Sequence, residues 1–269
     1  MSEETVLKVA VEDEVATVTL ARPEVRNALN ETLIVLLTQA FQKLSVASAV
    51  RVVILKGEGP VFCAGADLSW LGGITSAVIE DRQRHAMQFA QMFDAIDRCA
   101  KPVLAVVHGA ANGAGVGLAA AAHIAIAAEQ ASFTLPEARR GLSSSVMIPY
   151  LTSALGARCL RRYLVTGESF GARQALVFGL VHGVAAAKTG DQTDDPLAVM
   201  EQSMIAAILK GAPATIANAM DTIRVCENTP DDPDRMRWAS LRFAEVLGSP
   251  EALEGIASFE QKRQPKWTR

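Results

Sequence analysis

Two stretches, "VVILKGEGPVFCAGADL" (52–68) and "KPVLAVVHGAANGAGVGL" (101–118), share one plan: a run of apolar residues, a glycine-bearing loop, then a helical pattern. Apolar runs without alternation belong to strands covered on both faces, the condition of a parallel sheet layered with helices. The fold class that follows is α/β. A strand feeding a helix through a tight loop leaves backbone N–H groups unpaired at the helix start, and two such starts can converge. Neither loop has the Lys-Ser or Lys-Thr ending of a phosphate loop or the G-x-G-x-x-G spacing of a dinucleotide loop. The glycines need another explanation.

The 269 residues are half apolar, enough for one large domain with or without a helical appendage. Lys and Arg number 26 against 29 Asp and Glu, a net charge of −3 that offers no basic stripe for nucleic acid and no attraction to an anionic membrane. Cys63, Cys99, Cys159 and Cys226 are scattered, without the pairing of a zinc site or the density of a disulfide framework. They predict reduced core thiols in a cytoplasmic protein with no bound metal. "MSEETVLKVAVEDE" is acidic where a secretion signal needs positive charge and then an apolar run. The most apolar piece, Val103 to Ala128, is broken by the glycine loop, His108 and His123, which suits a buried strand, loop and helix better than a membrane span.

Along the chain, Val6 to Leu20 reads as a hairpin around an acidic turn. Asn30 caps a helix to about Leu44, with Leu33, Leu36, Leu37, Ala40 and Phe41 at helical spacing. A buried strand follows, then a loop over "EGPVFCAGADL", a helix near Ile79 to Cys99, and the second strand, loop and helix. Short strands and turns lead to helices over Val146 to Leu155 and Ala157 to Thr166, then a turn, a helix and a last strand within "TGESFGARQALVFGLV". The polar "AAKTGDQTDDP" marks a boundary between 1–194 and a helical region, 195–269, that packs on the first part or on a neighbouring subunit.

Taken in order, "RPEVRNALN", "GEGPVFCAGADLSWL", "HGAANGAGVGLAAAAHIAIAAEQASFTLPEARRGL" and "SFEQKRQPKW" resemble the enoyl-CoA hydratase/isomerase (crotonase) superfamily over nearly the whole chain. The resemblance implies a spiral of strand-strand-helix units, followed by C-terminal helices that build trimers or hexamers. It implies an acyl-CoA substrate, with coenzyme A as part of that substrate and no tightly bound cofactor. It gives the glycine loops a role: the backbone N–H groups of Ala66 and Ala114 hold the thioester oxygen as charge develops there, each donor worth about 2.7–4 kcal/mol. Gly65, Gly113 and Gly115 let the backbone come close. Ala114 stands where the family commonly has Gly, and its Cβ would crowd the site if the position required a positive φ.

The resemblance further places Arg26 and Ala28 beside the CoA phosphates and pantetheine, and the Ala64 and Ala66 backbone near the adenine and the pantetheine amide. Phe259 and Lys262 would close the nucleotide pocket, from a neighbouring subunit in many members. Trp70 and Leu71 line the acyl pocket or the core; His85 faces that pocket or solvent. Of the two glutamates of well-studied hydratases, Gly117 replaces the first, and Glu137 remains as acid/base. The sequence looks nearest to the branch that hydrates methylglutaconyl-CoA or carboxygeranoyl-CoA. In that reading Gly117 leaves room for a branched or carboxylated acyl chain, and Arg139 or Arg140 supplies a counter-charge.

Hydration of a 2-enoyl-CoA is the leading expectation. A 3-enoyl to 2-enoyl isomerase needs only one carboxylate, and Glu137 suffices for it. A catalytically silent CoA-binding scaffold is an alternative of another class. A nucleophilic hydrolase at Ser143, Ser144 or Ser145 lacks the G-x-S-x-G elbow. His123, between alanines and a strand, and Asp67, before a helix, read as structural.

Overall fold

The computed structural model describes residues 6–188, 193–228 and 233–268. Strands β1 (Leu7–Glu12) and β2 (Val15–Leu20) form the expected antiparallel hairpin. Its two-residue turn, Asp13-Glu14, is left-handed at both positions, the twist that matches paired strands. Helix α1 (Glu31–Val46) starts at Asn30, whose side chain accepts a hydrogen bond from the Leu33 N–H. Its core side carries Leu33, Ile34, Leu37, Phe41 and Leu44, while Leu36 stays exposed.

Three strand-strand-helix units follow. They are β3 (Val52–Gly57), β4 (Val61–Cys63), α2 (Leu68–Ile74) and α3 (Ile79–Asp97); then β5 (Val103–Val107), β6 (Ala110–Asn112) and α4 (Ala114–Ala121); then β7 (Ile124–Ala128), β8 (Ser132–Thr134), α5 (Ile148–Leu155) and α6 (Ala157–Thr166). In each unit the first strand joins a six-stranded sheet, β1-β2-β3-β5-β7-β10, and the second a four-stranded sheet, β4-β6-β8-β9. Strand β9 (Ser169–Gly171), α7 (Ala172–Phe178) and β10 (Gly183–Ala185) complete the spiral. Pairing is parallel except for β1 with β2 and β8 with β9. The fold is α/β, a crotonase-like spiral. Strands β4 and β6, which the sequence presents as loops, are only three residues long.

The apolar strand runs have two buried faces, as their lack of alternation requires. Val53, Leu55, Val103, Ala105, Val107, Ala125 and Ala127 face the main core, with α1, α3 and α4. Val52, Ile54, Leu104, Val106, Ile126 and Ala128 face the opposite side, where α8 (Pro196–Leu209) covers them with Leu197, Met200, Met204 and Ile205. Helix α8 therefore contributes to the spiral's own core, although it lies beyond the polar segment that marks a boundary in the sequence. Residues 189–192 of that segment lie outside the described residues. Helices α9 (Pro213–Asn228), α10 (Arg235–Leu247) and α11 (Pro250–Glu260) follow. The C-terminal end folds back on the core: Arg51 donates to the carbonyls of Leu209 (2.9 Å), Gly211 (2.7 Å) and Trp267 (2.7 Å). Among the described residues no helix is long and apolar enough to cross a membrane.

Candidate active site

The loops after β4 and β6 meet backbone to backbone. At Gly65, φ is +92°, and a Cβ there would lie 2.6 Å from the Asn112 carbonyl oxygen and 3.4 Å from the Ala114 nitrogen. A Cβ at Gly115 would collide with the Cys63 carbonyl. At both positions contact requires glycine, and the close approach puts the Ala66 and Ala114 amides on the wall of one cavity. Among the described residues neither N–H has a hydrogen-bond partner. Ala114 is the first residue of α4 and is not among the positive-φ residues; the unusual φ, +51°, falls on Gly113 instead. Its Cβ therefore does not crowd the position through backbone strain, and the start of α4 adds its dipole to the donor.

Glu137 opens a 3-10 turn, Glu137–Arg140, behind Pro136. Its Oε1 sits so close to Gly113 that a Cβ on that glycine would overlap it. Among the described residues Oε2 is buried without a hydrogen-bond partner. Burial raises the Glu137 carboxyl above its ordinary range, opposed by its own backbone N–H, the Ser144 hydroxyl and the Arg140 charge. A carboxyl of this kind exchanges protons beside two open amide donors.

The cavity, about 370 Å³, is lined by Ala64, Ala66, Trp70, Leu71, Ala114, Glu137 and Arg140 among the residues singled out from sequence. It also takes Phe89, Phe93, His85 and Arg82 from α3, and Leu142, Ser143, Ser145, Val146 and Met147 from the segment after Glu137. Sequence reasoning left His85 undecided and missed Phe89 and Phe93. Their spacing of four on α3 was the signal that could have found them.

Two expectations need correction. Gly117 does not open the cavity: a Cβ there would meet the Phe93 ring at 2.9 Å and the Met147 sulfur at 3.1 Å, so those side chains fill the space a first glutamate would use. Arg139 turns away, its Nε donating to the Thr166 carbonyl at 2.9 Å while its stem packs on Gly167. Phe259 and Lys262, expected at the nucleotide pocket of a neighbouring subunit, lie off this cavity in the single chain, where Phe259, on α11, is 85% exposed; that expectation stands neither met nor overturned.

Arg26 and Ala28 lie off the cavity wall, on a loop tied to it. Ala64 N–H donates to the Arg26 carbonyl at 2.9 Å and Leu29 N–H to the Gly65 carbonyl at 2.8 Å. Arg26 and Asn27 are both left-handed, and the buried Asn27 amide donates to the carbonyls of Glu58, Val61 and Phe62. Arg26 itself is exposed. Asp67 caps α2, accepting from the Ser69 and Trp70 N–H groups. His123 is a half-buried structural residue: Nδ1 accepts from the Val103 N–H, Nε2 donates to the Asp97 carbonyl, and burial lowers its pKa.

A crotonase-like spiral that carries two open amides and a buried carboxyl on one apolar cavity defines a class of proteins built to stabilise an oxyanion next to a proton-transfer group. The sequence profile described as enoyl-CoA hydratase/isomerase matches residues 10–269, and the chain belongs to that family. Its fold matches an enoyl-CoA hydratase from Shewanella pealeana with a TM-score of 0.91 at 32% identity, covering 98% of this chain and 97% of the other. The match to an enoyl-CoA hydratase from Mycobacterium smegmatis has a TM-score of 0.89 at 31% identity, covering 98% and 99%. The Alternaria alternata enoyl-CoA hydratase ACTT6 is 29% identical over 89% of this chain and 76% of its own.

Proposed function

We propose that the protein is an enoyl-CoA hydratase that adds water to a 2-enoyl-CoA, and that the substrate's acyl chain is branched or carboxylated. The observation that carries this reading is the placement of the unpartnered Ala66 and Ala114 amides beside the buried Glu137 on one cavity. The thioester oxygen accepts from the two amides. Glu137, as the carboxylate, takes a proton from water while the water oxygen bonds to Cβ, and the electron pair of the double bond moves toward the thioester oxygen. The resulting enolate then takes the proton back from Glu137 at Cα, so atoms and charge balance. Arg140 on the cavity wall supports a carboxylated chain. The nearest branch, in this reading, is the one acting on methylglutaconyl-CoA or carboxygeranoyl-CoA.

One observation favours a second reading, a 3-enoyl to 2-enoyl isomerase. Phe93 and Met147 occupy the side of Gly117, leaving a single carboxyl to handle protons. Glu137 would remove a proton from the carbon next to the thioester and return it two carbons further along. Matched 2-enoyl and 3-enoyl thioesters decide between them: hydratase activity gives a 3-hydroxyacyl product from the first, isomerase activity converts only the second. Turnover of neither thioester, with CoA still bound and that binding unchanged in Glu137→Gln, would leave the scaffold reading.

For the nucleotide part of CoA, the reading places Arg26 at phosphate, where a guanidinium offers forked donors, and the Ala28 and Ala64 backbone along the pantetheine. Phe259 and Lys262 reach the CoA site of a neighbouring subunit in a trimer or hexamer built through α9–α11. The free thiols of Cys63, Cys99, Cys159 and Cys226 support a cytoplasmic location.

A further inference from the structure

Aiming a water at one carbon takes more than a single polar contact, and the side where a first glutamate would stand is closed by Phe93 and Met147. Met147 belongs to the segment that follows Glu137, and the same segment brings two hydroxyls to the cavity. Ser143 and Ser145 are on its wall, while Ser144 between them is buried. Ser144 fixes the segment. Its carbonyl accepts from the Met147 N–H at 2.9 Å and the Ile148 N–H at 3.2 Å, and its hydroxyl bonds to the Glu137 carboxyl. With Ser144 turned inward, its two neighbours face the open side, beside the group that moves protons.

The two hydroxyls form one unit. Ser143 Oγ lies 2.5 Å from Ser145 Oγ and also accepts from the Ser145 N–H at 3.2 Å. Whichever hydroxyl donates to the other, one hydrogen is used inside the pair and one is left over. The Ser145 N–H occupies a further acceptor position, yet the pair keeps lone pairs to spare. Neither oxygen has a hydrogen-bond partner outside the pair among the described residues. A neutral hydroxyl pair does not remove a proton as a carboxylate does. It can accept one hydrogen of a water whose other hydrogen points to Glu137.

We infer that Ser143 and Ser145 hold the attacking water, supplying with two hydroxyls the positioning that a second carboxylate would otherwise give. The inference rests on the hydratase reading above and names the partner of Glu137 in it. Water donates one hydrogen to Glu137 and the other to the hydroxyl pair, which leaves an oxygen lone pair for Cβ. As the oxygen–carbon bond forms, the first hydrogen passes to Glu137 as a proton and the second stays on the product hydroxyl. No bond to serine forms or breaks. Without the pair the water keeps a single anchor, so its addition suffers, whereas proton exchange between Glu137 and Cα does not.

The test separates those two steps. Wild type and the Ser143→Ala/Ser145→Ala variant are given 2-butenoyl-CoA and 3-methylglutaconyl-CoA for hydration. The saturated butanoyl-CoA and 3-methylglutaryl-CoA report exchange of the Cα hydrogen in heavy water. The variant should hydrate about tenfold to a hundredfold more slowly in kcat, the range for a misplaced reacting group, with KM little changed. Cα exchange should keep the wild-type rate. The acid limb of kcat/KM should not move, since neither hydroxyl is among the groups that act on the Glu137 carboxyl. Both side chains are exposed, and Ser145→Ala alone, with a smaller loss of hydration, serves if the double variant melts early. Hydration unchanged in the variants, or hydration and exchange lost together, would overturn the water site and leave the hydratase reading standing. A wild type that hydrates neither thioester would remove both.

Discussion

At Gly113 two constraints coincide: a φ of +51°, which L side chains rarely adopt, and a Cβ direction blocked by Glu137 Oε1. Gly113→Ala should therefore fail twice. It should lose about 1–2 kcal/mol through the backbone alone, seen as a lower melting temperature, and it should also displace the carboxyl and depress kcat. Glu137→Gln separates the two effects. It should lower kcat by roughly 10²–10⁴-fold with little change in KM. Its stability should not fall, because the neutral amide removes the charge that burial disfavours. The sign of the pH dependence follows from burial. The folded state favours the neutral carboxyl and so binds more protons than the unfolded chain between the ordinary carboxylate range and the raised folded value. Wild-type stability should fall relative to Glu137→Gln as pH rises through that window, and the two should converge in acid. If the carboxylate is the base, kcat/KM should have an acid limb above the ordinary carboxylate range, and Glu137→Gln should lack it. Melting curves and rate profiles across pH check both statements.

The elements show what the sequence could and could not reveal. The runs at β3 and β5 were legible because both faces of those strands are buried, and Asn30 and Asp67 were legible as caps because each side chain bonds to backbone within three residues. Strands β4 and β6 were not, since three residues carry no alternation to detect, and α11 was visible only as a terminal motif. The amide pair came from resemblance, whereas its geometric cause, Gly65 against Asn112, appears only when the two loops are assembled. Gly117 was misread because its neighbours come from distant elements: Phe93 from α3 and Met147 just before α5. Gly117→Glu tests that packing. Restoring the missing acid at this position must displace the ring and the sulfur, at a cost of about 1–3 kcal/mol, and should not raise hydration. Adding Phe93→Ala should make the pair less destabilising than the sum of the single changes, a coupling read from denaturant titrations of all three variants.

In the whole molecule, the C-terminal helices are joined to the spiral through a small set of contacts. Arg51 is buried and its two terminal nitrogens bond three carbonyls, two at the end of α8 and one at Trp267. Arg51→Met should leave those carbonyls unsatisfied and release the C-terminal end to limited proteolysis before the spiral unfolds. Beyond that clamp, Met236 (80% exposed), Phe243 (70%), Leu253 (63%) and Phe259 (85%) place large apolar side chains in solvent in the single chain. A surface of that kind on α10 and α11 is more than scattered apolar exposure and calls for cover by another protein surface. If copies of this chain supply the cover, Phe243→Asp with Leu253→Glu should convert an oligomer to single chains in light scattering. Both side chains are already exposed within the chain, so its far-ultraviolet spectrum should be unchanged. If Phe259 and Lys262 complete a neighbour's CoA site, as proposed, the dissociated variant should also bind CoA thioesters more weakly, while Glu137 and the two amides remain in place. A wild-type protein that is a single chain at micromolar concentration, or a dissociated variant with unchanged KM, would remove the shared CoA site.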